Sequence, residues 1–88
     1  MTEEQRRVRR ITIEALDMAR EPEPGNELEK ILDRVARRHG EDPIREFIRK
    51  TVLQGKSDGE AATLIFGDAA VGQQLGICIR HIIHRAEG

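Results

Sequence analysis

The sequence predicts an all-α fold, a compact bundle of about five short helices in one domain over residues 1–88. Three observations predict it. Apolar residues recur at three- and four-residue steps, capping signatures precede most of these runs, and Phe47 and Phe66 are the only aromatic side chains. A core so poor in aromatics must be filled by Ile, Leu, Val and Ala, which suits interdigitating helices better than a sheet. Periodicity and caps together place helices at about 3–20, 27–39, 43–54, 58–66 and 69–85.

In the first helix Val8, Ile11, Ala15 and Met18, joined by Leu16 and Ala19, form one apolar stripe. Arg6, Arg7, Arg9, Arg10, Glu14 and Asp17 lie mostly off it. The run EPEPGN then breaks the helix, because Pro22 and Pro24 disfavour helical geometry before them and Gly25 frees the backbone. Asn26 caps a second helix, with Glu29 placed to return a capping-box bond and Leu28, Ile31, Leu32, Val35 and Ala36 as the stripe. Gly40 ends it behind Arg37, Arg38 and His39, cations suited to the negative end of the helix dipole.

Asp42-Pro43 reads as the start of the third helix, carboxylate at the cap and proline in the first turn. Ile44, Phe47, Ile48 and then Val52 or Leu53 face inward, and Gly55 stops it. Ser57 with Glu60 makes another capping box, opening a short helix that bears Ala61, Ala62, Leu64, Ile65 and Phe66. Gly67-Asp68 is a break and a new cap. The last helix carries a seam of Val71, Leu75, Cys78 and Ile82, flanked by Ile79 and Ile83, with Ile77 on another side. So wide an apolar surface implies either a central buried helix or one shared with a second chain.

Composition narrows the function. The net charge is −1, from 15 basic and 16 acidic residues, which lacks the basic excess of a dedicated nucleic-acid binder. Arginine dominates the cations, a bias that GC-rich coding produces, as in an actinobacterium or a bacteriophage; arginine is also the better interface cation. Cys78 is the one cysteine, so no intrachain disulfide forms and a reducing, cytoplasmic setting is expected. TEEQRRVRR holds no apolar signal core. The low-charge stretch from Ala61 to Ile79 contains Asp68, Gln73, Gln74 and glycines, too polar for a membrane span.

Cys78, His81 and His84 are the one cluster with metal-ligand chemistry, but a structural zinc needs four ligands and a fourth is not evident. Neither a metal nor a cofactor is expected. Cys78 lies on the apolar seam, not in the electropositive pocket a catalytic thiolate needs, and no nucleophile–base set appears elsewhere. An enzyme with a small-molecule substrate is therefore not expected. Gly72 and Gly76 form a G-x-x-x-G step that reads as close approach of a crossing helix or, more sharply, as a homodimer crossing. Arg6, Arg7, Arg9 and Arg10 form the densest basic run, which Glu3, Glu4 and Glu14 can partly neutralise at helical spacing.

From Pro43 to Ile82 the chain resembles a helix-turn-helix of the LuxR type, as found at the ends of response regulators. The segment opened by Pro43 and closed at Gly55 is similar in length to the family's first helix. GKSDGEAA is similar to the family's G-x-S-x-x-E-I-A, with Ser57 as cap, Glu60, and Ala62 at the tight helix crossing. FGDAAVGQQLGICIRHI is similar to F-x-S-x-x-T-V-x-x-H-L-x-x-I-x-x-K-L after a one-residue deletion at Asp68. The resemblance implies a tri-helical core in the C-terminal half. It also implies a recognition helix that carries Gly72, Gln73 and Gln74 where the family usually has cations, Thr or His.

Two functions follow as expectations. The first is a non-enzymatic protein-interaction or regulatory module, self-associating as a homodimer through Val71, Leu75, Ile79, Ile82 and Ile83, or binding another protein. Its motive is that a chain this short buries only about 60% of its unfolded surface and gains from a partner. The alternative is a helix-turn-helix DNA-binding regulator. Gln73 and Gln74 would then read adenine edges of duplex DNA, and Arg6, Arg7, Arg9, Arg10, Arg80 and Arg85 would contact phosphates.

Overall fold

A computed structural model describes residues 1–20 and 25–87. Among them the chain forms α1 (Glu3–Ala19), α2 (Glu27–His39), α3 (Glu41–Ile48), α4 (Asp58–Phe66) and α5 (Ala69–Glu87), and no strand. A π-helical turn, Arg49–Leu53, continues α3. The all-α bundle is thus as expected. The proline-rich break at Pro22 and Pro24 lies outside the described residues.

Local hydrogen bonds set most helix starts. Thr2 and Gln5 form a reciprocal capping box at α1, a T-x-x-Q signal that apolar periodicity alone does not reveal. Asn26 accepts from the Glu29 amide at 2.9 Å, while the Glu29 carboxylate returns to the Gly25 amide and the Asn26 side chain. Ser57 accepts from the Glu60 amide at 3.2 Å, and Asp68 accepts from the Ala70 amide at 2.9 Å. One expected cap is corrected. Asp42 does not cap α3, which begins at Glu41 directly after Gly40 and has no side-chain cap bond. Gly40 closes α2 and opens α3 at once with φ +92° and ψ 173°, a conformation that only glycine adopts readily. Pro43 consequently sits third in the helix, still inside the turn where a missing N–H costs nothing.

The π-helical turn resolves the choice between Val52 and Leu53. The wider turn is closed by the Gln54 amide to the Arg49 carbonyl, and the Thr51 hydroxyl donates back to the Phe47 carbonyl at 2.9 Å. Both Val52 and Leu53 end up half-buried, and Val52 packs against the core. In α4, Ala61 and Ala62 face inward, but Leu64 is 63% exposed and does not join the core.

The core is one cluster drawn from α1 to α5, with Ile11, Leu32, Ile44, Phe47, Leu75 and Ile82 fully buried. Its Cα radius of gyration, 11.9 Å, is close to the roughly 12 Å of a compact domain of this length. α5 runs through the middle, packed against α4, α2 and α1. Among the described residues no helix is long and apolar enough to cross a membrane.

Candidate binding surfaces

The seam read as a dimer interface lies inside the chain's own core. Leu75 and Ile82 have no exposed surface and Ile79 has 3%, whereas Val71 and Ile83 are half-buried at its edges. Of the two explanations for so broad an apolar face, the structure takes the central buried helix. A second copy has no access to the middle of this seam while α1, α2 and α4 cover it.

The glycine pair has an intramolecular cause. A Cβ on Gly72 would overlap the Asp58 carbonyl oxygen and lie 2.7 Å from the Ala62 Cβ; one on Gly76 would overlap the Asp58 carboxylate. α4 therefore crosses α5 where Ala62 meets Gly72, and the Asp58 side chain lies over Gly76 and accepts from Arg80 at 2.6 Å. Close packing within one chain, not a homodimer crossing, accounts for the G-x-x-x-G step. From this crossing to the turn the arms are short, Ala62 to Phe66 and Ala69 to Gly72, and Gly67 turns the chain with φ +71°.

The outward face of α5 is mostly polar. Gln73, Gln74, Arg80, His81 and His84 are exposed, with Ile77 among them at 53%. Cys78 points the other way, buried, with its Sγ 3.6 Å from the Leu28 carbonyl oxygen. The three candidate metal ligands therefore do not converge, and no other such group gathers among the described residues. Burial pushes the Cys78 thiol up to about 11, so it stays protonated at neutral pH.

Arginines assigned to phosphates divide in two. Arg7 donates to Glu87, holding that carboxyl below its usual range, and Arg10 lies 3.7 Å from the same group. Arg80 is held by Asp58 and Arg85 lies 3.5 Å from Glu14. These four tie α1, α4 and α5 together. Arg6 and Arg9 have no carboxylate partner among the described residues, and neither do Lys30, Arg34 and Arg38 on α2.

Two grooves carry three of these five cations, Arg34 and Arg38 in one and Arg9 in the other. In one, of about 380 Å³, Arg34, Arg38 and His39 of α2 face Gln74, Val71 and Ala70 of α5, with Asp68 at the end and His39 edge-on to Phe66 at 4.9 Å. In the sequence, Arg38 and His39 read only as end-of-helix cations. The spacing of Lys30, Arg34 and Arg38, one per turn, is the signal that could have found this stripe.

The second groove, about 440 Å³, lies between α1 and α3 with its π-helical turn. Val8, Ile13 and Leu16 contribute apolar surface, Ile13 being 52% exposed, and Arg9, Arg20, Arg45 and Arg49 line it with Asp17. Arg20 is clamped by Glu41, whose carboxyl is lowered by that bond, and Arg49 by Glu46, similarly lowered. Arg45 has only a 3.9 Å approach to a 99% exposed Asp42 side chain. Next to this groove, Arg6 and Arg10 extend the cationic surface around Ile13 toward Met1.

No protein-family model, curated protein or solved structure matches this chain.

Proposed function

We propose that the chain is a non-enzymatic protein-interaction module whose partner binds the arginine-bearing side of α1 and α3. The observation that carries this reading is the make-up of that groove: apolar Ile13, Val8 and Leu16 among Arg9, Arg20, Arg45 and Arg49. Protein interfaces favour an apolar centre with arginine about it and are poor in lysine. A phosphate backbone gains little from the apolar centre. The net charge of −1 also weighs against nucleic acid as the main partner. Self-association through Leu75, Ile79 and Ile82 is not part of this reading, because those side chains already fill the core.

A second reading, DNA binding through α4 and α5, is favoured by one observation of its own. The close Ala62–Gly72 crossing leaves Gln73 and Gln74 outward, and Arg34 and Arg38, unpaired among the described residues, border Gln74. Fluorescence polarisation of labelled random duplex DNA at about 50 and 200 mM salt separates the two, since phosphate-driven affinity falls steeply over that range. The interaction-module reading expects no micromolar binding at either salt. Salt-sensitive micromolar binding that disappears in Arg34→Glu/Arg38→Glu, and not in Arg9→Glu, overturns it in favour of the second.

A further inference from the structure

We infer that the α1–α3 groove receives an acidic amphipathic helix of a partner protein, which lays its apolar stripe on Ile13 and its carboxylates against Arg9 and Arg45. This rests on the interaction-module reading and names the occupant. Three features point to that chemistry. The first is the sign of the lining: Arg20 and Arg49 are held by Glu41 and Glu46, but Arg9 is unpaired among the described residues and Arg45 barely paired, with Asp17 the one carboxylate lining residue. Arginine presents a planar fork that grips carboxylates in pairs, so the lining suits Glu and Asp side chains more than an isolated anion.

The second is the apolar centre. Ile13 is the one large apolar side chain on the outward face of α1 within the groove, half in water, with Val8 beside it one turn and a step away. A purely acidic segment would leave it uncovered. The third is length. The lining residues of α1 and its C-cap run from Val8 to Arg20, which at 1.5 Å per residue is roughly 18 Å, the length of about three helical turns. A helix presenting apolar residues at three- and four-residue steps covers such a strip while its flanks reach cations on both walls. Arg20 and Arg49 already hold Glu41 and Glu46 in the same bidentate or single-bond manner, so the groove's edges already bind carboxylates of this chain.

The experiment uses the whole chain labelled with 15N and a synthetic helical peptide of about fourteen residues, Leu on one face and Glu on the flanks. A second peptide has the same composition in an order that does not segregate the faces. The proposal expects the first peptide to shift amides in 8–20 and 43–53, and to bind about tenfold or more tightly than the second. Ile13→Glu and Arg9→Glu/Arg45→Glu, each still folded by circular dichroism, should weaken it about tenfold or more.

Equal binding of the two peptides would overturn the amphipathic-helix occupant and leave the interaction-module reading standing. So would tighter binding of the same surface to vesicles of anionic phospholipid than to the peptide. Absence of any shift at the groove with either peptide overturns the occupant as well. Duplex DNA shifting the amides of Gln73, Gln74 and Arg34 instead would remove both the occupant and the reading beneath it.

Discussion

The α4–α5 crossing and the α1–α3 groove use the same residue types, arginine, carboxylate and apolar side chains, to opposite ends. At the crossing the space is full. Asp58 lies over Gly76 and pairs with Arg80, Ala62 meets Gly72, and Leu75 and Ile82 have no exposed surface behind them. In the groove Ile13 is half in water, Arg9 has no carboxylate among the described residues, and Arg45 has only a distant one. The difference teaches where this small chain has spare binding capacity. The broad apolar face of α5 has little surface left to offer, because that face is what holds the bundle together.

The most damaging substitution should therefore be at the crossing's interior. Leu75→Glu or Ile82→Glu places a carboxylate where nothing pairs with it, at about 4 kcal/mol or more, against a total stability of roughly 5–10 kcal/mol for a domain of this size. The expected result is a largely unfolded chain by circular dichroism. A variant that stays helical and halves its mass in sedimentation would break the comparison, since Leu75 and Ile82 would then be interface residues.

Next in size is a contrast between neighbours. In Gly72→Ala the new methyl meets Asp58 backbone, which cannot step aside without moving α4, so a loss of about 1–3 kcal/mol in urea unfolding is expected. In Gly76→Ala its nearest neighbour is the Asp58 side chain, which can rotate away at the expense of its pair with Arg80. That pair is partly exposed and the alanine favours helix, so the net change should stay within about 1 kcal/mol. Equal losses would mean that the crossing is not set by the Asp58 backbone.

Cys78 gives a third, smaller handle on the same interior. Its thiol ionises near 9 when unfolded and near 11 when folded, so the folded chain holds an extra proton between those values. Stability present below pH 9 should fall as pH rises toward 11, and Cys78→Ala should flatten that window in urea titrations at successive pH. An unchanged slope would mean that the thiol is reached by water in the native state.

These regions were unequally legible in the sequence. Helix starts at Asn26, Ser57 and Asp68 could be read because a cap is a bond between residues three or fewer positions apart. Asp42 misled because the turn is made by Gly40, whose φ of +92° leaves no signature beyond the glycine itself. The seam of α5 could be read as apolar but not as internal, since a buried helix and a shared one carry the same pattern of residues. Charge was the least legible. Arg7 finds Glu87 80 residues away and Arg80 finds Asp58 22 residues away, so counting cations could not tell those that brace helices from Arg9 and Arg34, which brace nothing among the described residues.

The smallest expected effect on folding belongs to the groove, and it is the one on which the functional tests depend. Ile13 contributes little to the core, and Arg9 makes no ion pair among the described residues. Ile13→Glu and Arg9→Glu should each leave stability within about 0.5 kcal/mol, a shift of only a few degrees in Tm for a chain of this length. Thermal melts followed by helical circular dichroism would check it. Were Ile13→Glu to cost as much as Gly72→Ala, Ile13 would belong to the core in solution and the groove would be shut. Unchanged melts, by contrast, would mean that any loss of peptide binding in these variants comes from the surface itself, because the bundle beneath it is intact.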